Sequence, residues 1–188
     1  MGISKTEAAS ALTDIESAAR RSGLLKGYRG AGPILMVWGV IWALGYGGMG
    51  ISPPEIWGWI WLPLDVIGVV ATVLMSRAAK GAGTAAGQAG MGWKIVTGVL
   101  ALLIFFAATF TLLSPASVEA AIAYPGVVTG LVYAGVGIAY APRYLWIGAA
   151  VFAASMVGYF FFQPWLNYWM AVVGGGGLIV AGLWLRRA

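Results

Sequence analysis

Six apolar stretches, each about 20 residues long, constrain the fold of this chain more than any other feature. They occupy residues 33–50, 56–76, 93–113, 120–141, 144–162 and 166–185. A helix of about 20 apolar residues spans a hydrocarbon core of about 30 Å. A soluble domain of 188 residues, 61% of them hydrophobic and 9% charged, would leave too much apolar surface in water. The sequence therefore predicts an all-α, polytopic membrane bundle of six transmembrane helices.

The basic residues occur only beside alternate ends of these stretches. All eleven fall on one side of a six-span topology: Lys5, Arg20, Arg21, Lys26, Arg29, Arg77, Lys80, Lys94, Arg143, Arg186 and Arg187. The opposite side carries Glu55, Glu119 and an uncharged turn at Gln163. Because lysine and arginine accumulate on the cytoplasmic side, we expect cytoplasmic termini and a location in the inner membrane. With a net charge of +5 scattered in this way, the lipid bilayer is the expected partner and nucleic acid is not.

Residues 1–32 form a polar segment ahead of the first span. Over residues 4–22 the apolar side chains fall on one face of a helix, and Gly23 predicts the end of that helix. We expect a short amphipathic leader helix that lies on the membrane, folds under the bundle or docks a partner. Residues 33–188 would then form the transmembrane domain, with a flexible, glycine-rich cytoplasmic connection at 78–92.

The chain contains neither cysteine nor histidine. This composition excludes thiol nucleophiles, imidazole bases and nearly every transition-metal site. The serine, threonine and lysine residues lack a neighbouring base, so the sequence does not indicate nucleophilic catalysis either. We expect a protein that is not an enzyme and has no catalytic residue and no metal site. The sequence indicates no particular cofactor.

Asp65 is the exception to the charge pattern, because it lies near the middle of the second apolar stretch. A carboxylate at the centre of a bilayer costs about 2.5–3.5 kcal/mol, so it must face the bundle interior, become protonated or find hydrogen-bond donors. The expected donors, at similar depth, are Trp42, Tyr133 and Ser155. Two interpretations stay open: a proton or cation acceptor in a binding site, or a neutral acid that fixes helix packing.

An aromatic stripe of Trp38, Trp42 and Tyr46 recurs at four-residue spacing on the first span. The stripe either lines a binding site for a flat or cationic ligand, or it fills the space between helices. The sequence alone leaves both interpretations open.

Four consecutive glycines, Gly174, Gly175, Gly176 and Gly177, lie in the middle of the sixth span. Each costs about 0.8–1 kcal/mol of helix stability relative to alanine, so the run predicts a kink, an unwound turn or very tight packing. Pro63 disturbs the second span in a related way, because it lacks a backbone donor. Other small-residue faces predict close packing inside the protein, between copies or with a membrane-protein partner. They comprise Gly126, Gly130 and Ala134 on the fourth span, and Gly177 and Ala181 on the sixth.

Two segments resemble uncharacterised small bacterial membrane proteins. They are Gly-Pro-Ile-Leu-Met-Val-Trp-Gly-Val-Ile-Trp at 32–42 and Gly-Leu-Ile-Val-Ala-Gly-Leu-Trp-Leu-Arg-Arg at 177–187. The resemblance spans most of the chain and implies no known activity. In size, number of spans and cytoplasmic ends, the chain is also similar to the substrate-binding subunits of energy-coupling-factor vitamin transporters, a likeness of topology alone.

Two functional hypotheses follow from these features. The first is a protein that binds or transports a small solute or cation at a mid-membrane site between the first, second and sixth spans. Asp65 would be the acceptor, Trp42 and Tyr46 the walls, and the glycine run the flexible element. The second is an accessory or regulatory subunit of a larger membrane complex, in which the glycine faces and the leader helix bind other proteins and Asp65 is a packing acid.

Overall fold

The computed structural model describes residues 5–81, 91–113 and 117–187. Nearly all residues in these ranges are helical, and none of them forms a strand. The helices are α1 (Lys5–Gly50), α2 (Trp57–Gly81), α3 (Met91–Leu113), α4 (Val118–Ala139), α5 (Arg143–Phe161), α6 (Leu166–Trp169) and α7 (Gly176–Arg186). Short 3-10 turns, Pro54–Ile56 and Gln163–Trp165, precede α2 and α6, and a π segment, Met170–Gly175, joins α6 to α7.

Six helical segments of the described chain are long and apolar enough to cross a membrane. The sixth combines α6, the π segment and α7 over Gln163–Arg186. The predicted all-α architecture with six span-length helices is therefore confirmed. The predicted flexible connection at 78–92 lies mostly outside the described residues, and its described ends belong to α2 and α3.

α1 is one continuous helix of 46 residues, so the predicted helix end at Gly23 was wrong. A glycine in a helix interior costs only about 1 kcal/mol relative to alanine. The residues that follow it, Leu24, Leu25 and Lys26, are all good helix formers and carry the helix onward. Pro33 lies further along the same helix without ending it.

The first part of α1 contributes little to the core. Leu12 and Ile15, on the apolar face predicted for the leader, are 61% and 64% exposed. Burial begins at Tyr28, which belongs to the hydrophobic core. The leader is therefore a continuation of the first span and does not fold back beneath the bundle.

The core forms where α1 packs along the π segment and α7. A Cβ atom added at Gly39 would lie 2.7 Å from the carbonyl oxygen of Gly175. One added at Gly182 would lie 2.6 Å from the carbonyl oxygen of Gly32. Both distances are far shorter than a favourable non-bonded contact of about 3.5–4.0 Å. Glycine therefore sets how closely these two backbones approach.

A second glycine-lined contact joins α4 to α5. A Cβ atom added at Gly130 would lie 2.7 Å from the backbone nitrogen of Phe152. Gly148 lies in turn against the Gly130 carbonyl and the backbone of Ala134, and Gly126 lies against Ser155. The small residues of the fourth span thus pack against α5 of the same chain.

α2 and α3 lie at the edge of the bundle. α2 packs on α1, and α3 packs chiefly on α2. α3 also approaches α4 through Phe106 and Phe110, whose ring centroids lie 6.1 and 5.8 Å from that of Tyr124. The outer faces of both helices remain exposed, with Trp59 and Leu112 at 74% and 80%. These apolar faces suit a lipid environment.

The middle of α1 and the ends of α5 and α7 meet around Arg143. Its guanidinium carbon lies 5.3 Å from the ring centroid of Tyr28 and 4.9 Å from that of Trp184. The guanidinium donates a 3.0 Å hydrogen bond to the Trp184 carbonyl oxygen, and the Arg143 backbone N–H donates to the Tyr28 hydroxyl at 3.2 Å. Tyr144 extends this cluster to Tyr133, with a ring separation of 5.7 Å. Cation–π contacts and hydrogen bonds thus join α1, α5 and α7.

Candidate functional site

Asp65 lies at the middle of the 25-residue span Pro54–Ala78. The nearest charged residues along the chain are Glu55 and Arg77, at the two ends of that span. Pro63 lies inside α2 just before it, and the helix continues through both residues. The carboxylate is therefore held on a regular helix, at the depth where an ionised group is most costly.

Asp65 shares the face of α2 that packs on α1. Trp61, one turn before it, lies over Gly45, where an added Cβ atom would be 2.6 Å from the indole ring. Gly68, one turn after it, lies under Trp38, where an added Cβ atom would be 2.8 Å from the indole ring. Residues three and four apart share a helix face, so Asp65 lies between these two contacts and is half-buried.

The Asp65 carboxylate makes no hydrogen bond or ion pair with any residue that the structure describes. Buried polar groups in proteins normally have a partner, and each exception requires an explanation. Asp65 is only half-buried, and its oxygens are not among the fully buried atoms without a partner, so it is distinguished by its mid-span depth together with the absence of a bond to a described residue. Its free oxygen atoms are the main feature of the candidate site.

Two of the predicted donors are engaged elsewhere. The Ser155 hydroxyl, 1% exposed, donates to the Val151 carbonyl oxygen at 2.8 Å. Tyr133 packs with Tyr144 in the cluster near Arg143. Neither is a hydrogen-bond partner of Asp65, so the structure does not assemble these residues around the acid as the sequence predicted.

Tyr46 and Trp42 are core residues, 1% and 7% exposed. The Tyr46 hydroxyl donates to the Ile122 carbonyl oxygen of α4 at 3.0 Å. Its ring meets Trp42 and Trp61 edge-on, with centroid separations of 5.6 and 5.2 Å. Trp42 in turn lies 3.3 Å from the position of a Cβ atom added at Gly174. These rings fill space, and they connect the α2 face that carries Asp65 to the π segment.

Trp38 makes the polar contact between α1 and α2. Its indole N–H donates to the Thr72 hydroxyl oxygen at 3.1 Å. The Thr72 hydroxyl, 1% exposed, donates to the Gly68 carbonyl oxygen at 2.7 Å. Trp38 is thus a hydrogen-bonded part of the seam that contains Asp65, which the aromatic stripe alone did not indicate.

Ser76, like the side-chain oxygen of Asn167, is a buried polar group without a partner among the described residues. It is 7% exposed, and its hydroxyl oxygen has no hydrogen-bond partner among the described residues. Sequence reasoning missed both Thr72 and Ser76. Their spacing from Asp65, seven and eleven residues, is the signal that places all three on one face of a helix.

The four glycines of the sixth span divide into two pairs. Gly174 and Gly175 end the π segment, and a Cβ atom at Gly175 would lie 2.7 Å from the Gly39 carbonyl oxygen. Gly176 and Gly177 begin α7, and in the described chain no atom lies within 4 Å of a Cβ added at either. Of the predicted alternatives, very tight packing occurs at Gly175. The chain there forms a widened π turn, and the predicted unwound turn does not occur.

The small-residue faces predicted to contact partners differ in whether they are exposed. Gly126 and Gly130 are buried against α5, with Ala134 beside them. Gly177 is exposed and Ala181 is partly buried. Within this set, the sixth span alone keeps a small residue available to a second protein.

No protein-family model, no curated protein and no solved structure matches this chain. The fold and the site together define a six-helix bundle of membrane composition with a solitary acid at mid-span. Its function must be argued from that geometry.

Proposed function

We propose that this protein is a non-enzymatic integral membrane protein that binds or transports a small solute or cation, with Asp65 as the acceptor. One observation supports this above all others: the Asp65 carboxylate is half-buried at mid-span and has no partner among the described residues. An acid at this depth is costly, and acids retained inside spans usually act in ion or substrate binding.

The binding chemistry rests on the seam between α1 and α2. A cation or proton at Asp65 neutralises the carboxylate and removes the cost of its charge. Trp61 lies one turn before Asp65, and Trp38 packs on Gly68, one turn after it. Aromatic rings, which attract cations, therefore flank the acid along the seam. Trp42 and Tyr46 support Trp61 from the core side.

The π segment is the proposed flexible element. Its turn is wider than an α-helical turn. Such segments are rare in proteins, and where they occur they often lie at functional sites. It touches α1 at Gly39 and Trp42, and Trp42 leads through Tyr46 to Trp61. A change of one helical register in Met170–Gly175 would therefore alter the packing beside Asp65.

We propose that the termini of the chain are cytoplasmic and that the protein lies in the inner membrane. The distribution of basic residues supports this orientation, because Arg143 and Arg186 lie at the same end of the bundle as Tyr28 of α1. In this orientation, the exposed first part of α1 projects into the cytoplasm.

The proposal can be tested with dicyclohexylcarbodiimide, an apolar reagent that modifies protonated carboxyl groups within membranes. We expect wild-type protein in lipid nanodiscs to be labelled at Asp65, as mass spectrometry of its peptides would show. Glu55 is the matched control, since it is an exposed acid at the end of the same span. A small cation that binds at Asp65 should slow the labelling. Equal labelling of Asp65 and Glu55, or none at Asp65, would contradict the proposal.

A second candidate function is that of an accessory or regulatory subunit. The observation in its favour is the open outer surface of α2 and α3, together with the exposed Gly177 of α7. Native mass spectrometry of protein extracted gently from its own membrane separates the two functions. Co-extraction of another polypeptide in fixed ratio supports the subunit, whereas a homo-oligomer with a reproducible small-molecule mass supports the binding protein.

A further inference from the structure

The basic end of the bundle, where Arg77, Arg143 and Arg186 lie, holds one arginine between two aromatic rings. The Arg143 guanidinium carbon lies 5.3 Å from the ring centroid of Tyr28 on α1 and 4.9 Å from that of Trp184 on α7. One of its N–H groups donates to the Trp184 carbonyl oxygen at 3.0 Å, and no other hydrogen bond joins the guanidinium to a residue that the structure describes. These contacts hold the guanidinium in place and leave most of its donors unused.

Arg143 has no acidic side chain nearby to neutralise it. The chain contains six acidic residues. Glu55 and Glu119 lie at the opposite end of the bundle, where α2 and α4 begin, and Asp65 lies at mid-span. The other three precede Tyr28 on α1, and the nearest of them, Glu16, is about 18 Å from Tyr28 along the helix axis. The positive charge of Arg143 is therefore not compensated by a carboxylate side chain.

Two further arginines lie at the same end of α7. Arg187 follows Trp184 by three residues and therefore shares its helix face. The Cβ atom of Arg186 lies 3.2 Å from the position of a Cβ added at Gly32, which is one helical turn from Tyr28. Both arginine side chains are exposed. Three like charges gathered without a carboxylate side chain favour an anion at this point.

Tyrosine hydroxyl groups add uncharged donors beside Arg143. The Tyr28 hydroxyl accepts the Arg143 backbone N–H at 3.2 Å, and its own hydrogen has no acceptor among the described residues. The ring of Tyr144 lies 6.2 Å from that of Tyr28, and its hydroxyl makes no hydrogen bond within the described chain. Guanidinium and hydroxyl groups without acceptors form a donor set, which suits the oxygen atoms of an anion.

The arginines lie at the depth of lipid headgroups. The fifth span begins at Arg143, and the sixth ends at Arg186. Trp146, one turn after Arg143, and Trp184 are 70% and 42% exposed. Exposed tryptophans are typical of the interface between membrane and water. Basic sites between spans at this depth bind the headgroups of anionic lipids.

We propose that Arg143, with Arg187 and the neighbouring tyrosine hydroxyls, binds a phosphate group that an anionic membrane phospholipid carries. The edge of a guanidinium offers two parallel N–H groups to two phosphate oxygens, a geometry that lysine lacks. Because Tyr28 and Trp184 already hold the guanidinium, binding costs little side-chain entropy. This site goes beyond the proposed function and does not depend on Asp65, which lies at mid-span of another helix.

Native mass spectrometry of the full chain in a neutral, phosphate-free detergent tests the site, because it counts bound lipids directly. Delipidated protein is titrated with phosphatidylglycerol, which is anionic, and with phosphatidylcholine, which carries the same phosphodiester without net charge. Arg143→Gln is compared with Arg77→Gln, the matched control. Arg77 is an exposed arginine near the end of the α2 span, so its loss removes the same charge from the same end of the bundle.

We expect wild-type protein to bind phosphatidylglycerol at least about tenfold more tightly than phosphatidylcholine, because hydrogen bonds to charged groups are the strong ones. Arg143→Gln should lose at least about tenfold of that affinity, whereas Arg77→Gln should keep it. If Arg143→Gln fails to fold, Arg143→Lys replaces it, since lysine keeps the charge and loses the paired donors. Its affinity should fall in the same direction.

Equal losses in the Arg143 and Arg77 variants would overturn the site, because they would show a general attraction of charge. Equal affinity of wild-type protein for the two lipids, or unchanged affinity in the Arg143 variant, would overturn it as well. Addition of millimolar inorganic phosphate separates the two sources of the anion. Retention of the lipid supports a membrane phospholipid, whereas its displacement supports the phosphate site and assigns it to a soluble ligand.

Discussion

The polar side chains of the α1–α2 seam differ in whether their hydrogen bonds are satisfied. Trp38 and Thr72 bond to each other, and Tyr46 bonds to the backbone of α4. Asp65 and Ser76 have no partner among the described residues. Satisfied groups hold helices together, whereas unsatisfied ones indicate where a ligand or water binds. This contrast identifies the site more sharply than residue type alone.

The sequence contained part of this information. The depth of Asp65 follows from its position in an apolar stretch, and that prediction needed no structure. Which donors surround it could not be read in the same way, because depth does not tell which helices are neighbours. Ser155 and Tyr133 have suitable depth, yet the structure commits them to contacts with Val151 and Tyr144.

For the side chain of Thr72, we predict that Thr72→Val destabilises the protein. The substitution leaves the Trp38 indole N–H without its acceptor inside the seam. An orphaned buried donor costs about 1–3 kcal/mol of unfolding free energy. Thr72→Ser keeps the hydroxyl and should cost much less. Unfolding in mixed micelles measures both, and equal stability of Thr72→Val and wild type would contradict the assignment.

The helices of the bundle are arranged by glycines. α1 approaches the π segment and α7 through Gly32, Gly39, Gly175 and Gly182, and α4 approaches α5 in the same manner. The apolar stretches predicted that the spans exist, since length and hydropathy suffice for that. They did not predict which glycine faces which helix. The uninterrupted α1 shows a related limit, because Gly23 ends a helix only where the following residues favour leaving it.

The two pairs of glycines in the sixth span give a prediction at the scale of the element. Gly175→Ala places a methyl group 2.7 Å from the Gly39 carbonyl oxygen and should destabilise the protein by about 1–3 kcal/mol. Gly176→Ala, the adjacent control, meets no described atom within 4 Å and should stabilise the helix by about 0.4–1 kcal/mol. Thermal unfolding of both variants in one detergent measures the difference. Destabilisation of the same size in both would show that the close contact at Gly39 is absent.

The whole molecule has a packed half and an open half. α1, α4, α5 and the sixth span form the core, whereas α2 and α3 cover one side and expose most of their surface. The site lies where these halves meet, at the seam between α1 and α2. Asp65 therefore lies at the boundary between the packed core and the exposed helices.

The proposed orientation gives a prediction for the whole molecule. In intact cells, a membrane-impermeant maleimide should label Glu55→Cys, which lies in the turn before α2, at the end of the span expected outside. Arg187→Cys, at the opposite end of the bundle, should be labelled only after the cells are permeabilised. Labelling of both variants in intact cells, or the reverse pattern, would contradict cytoplasmic termini.

The central claim is that Asp65 takes up and releases a ligand at mid-span, and infrared difference spectroscopy tests it most directly. The measurement compares protein in lipid at acid and alkaline pH and follows the carbonyl stretch of a protonated carboxylic acid. All six acidic residues of the chain contribute to this band at acid pH. We predict one component of the band that is retained in Glu55→Gln and is lost in Asp65→Asn. An unchanged band in Asp65→Asn, or a wild-type spectrum without any such band, would contradict the claim.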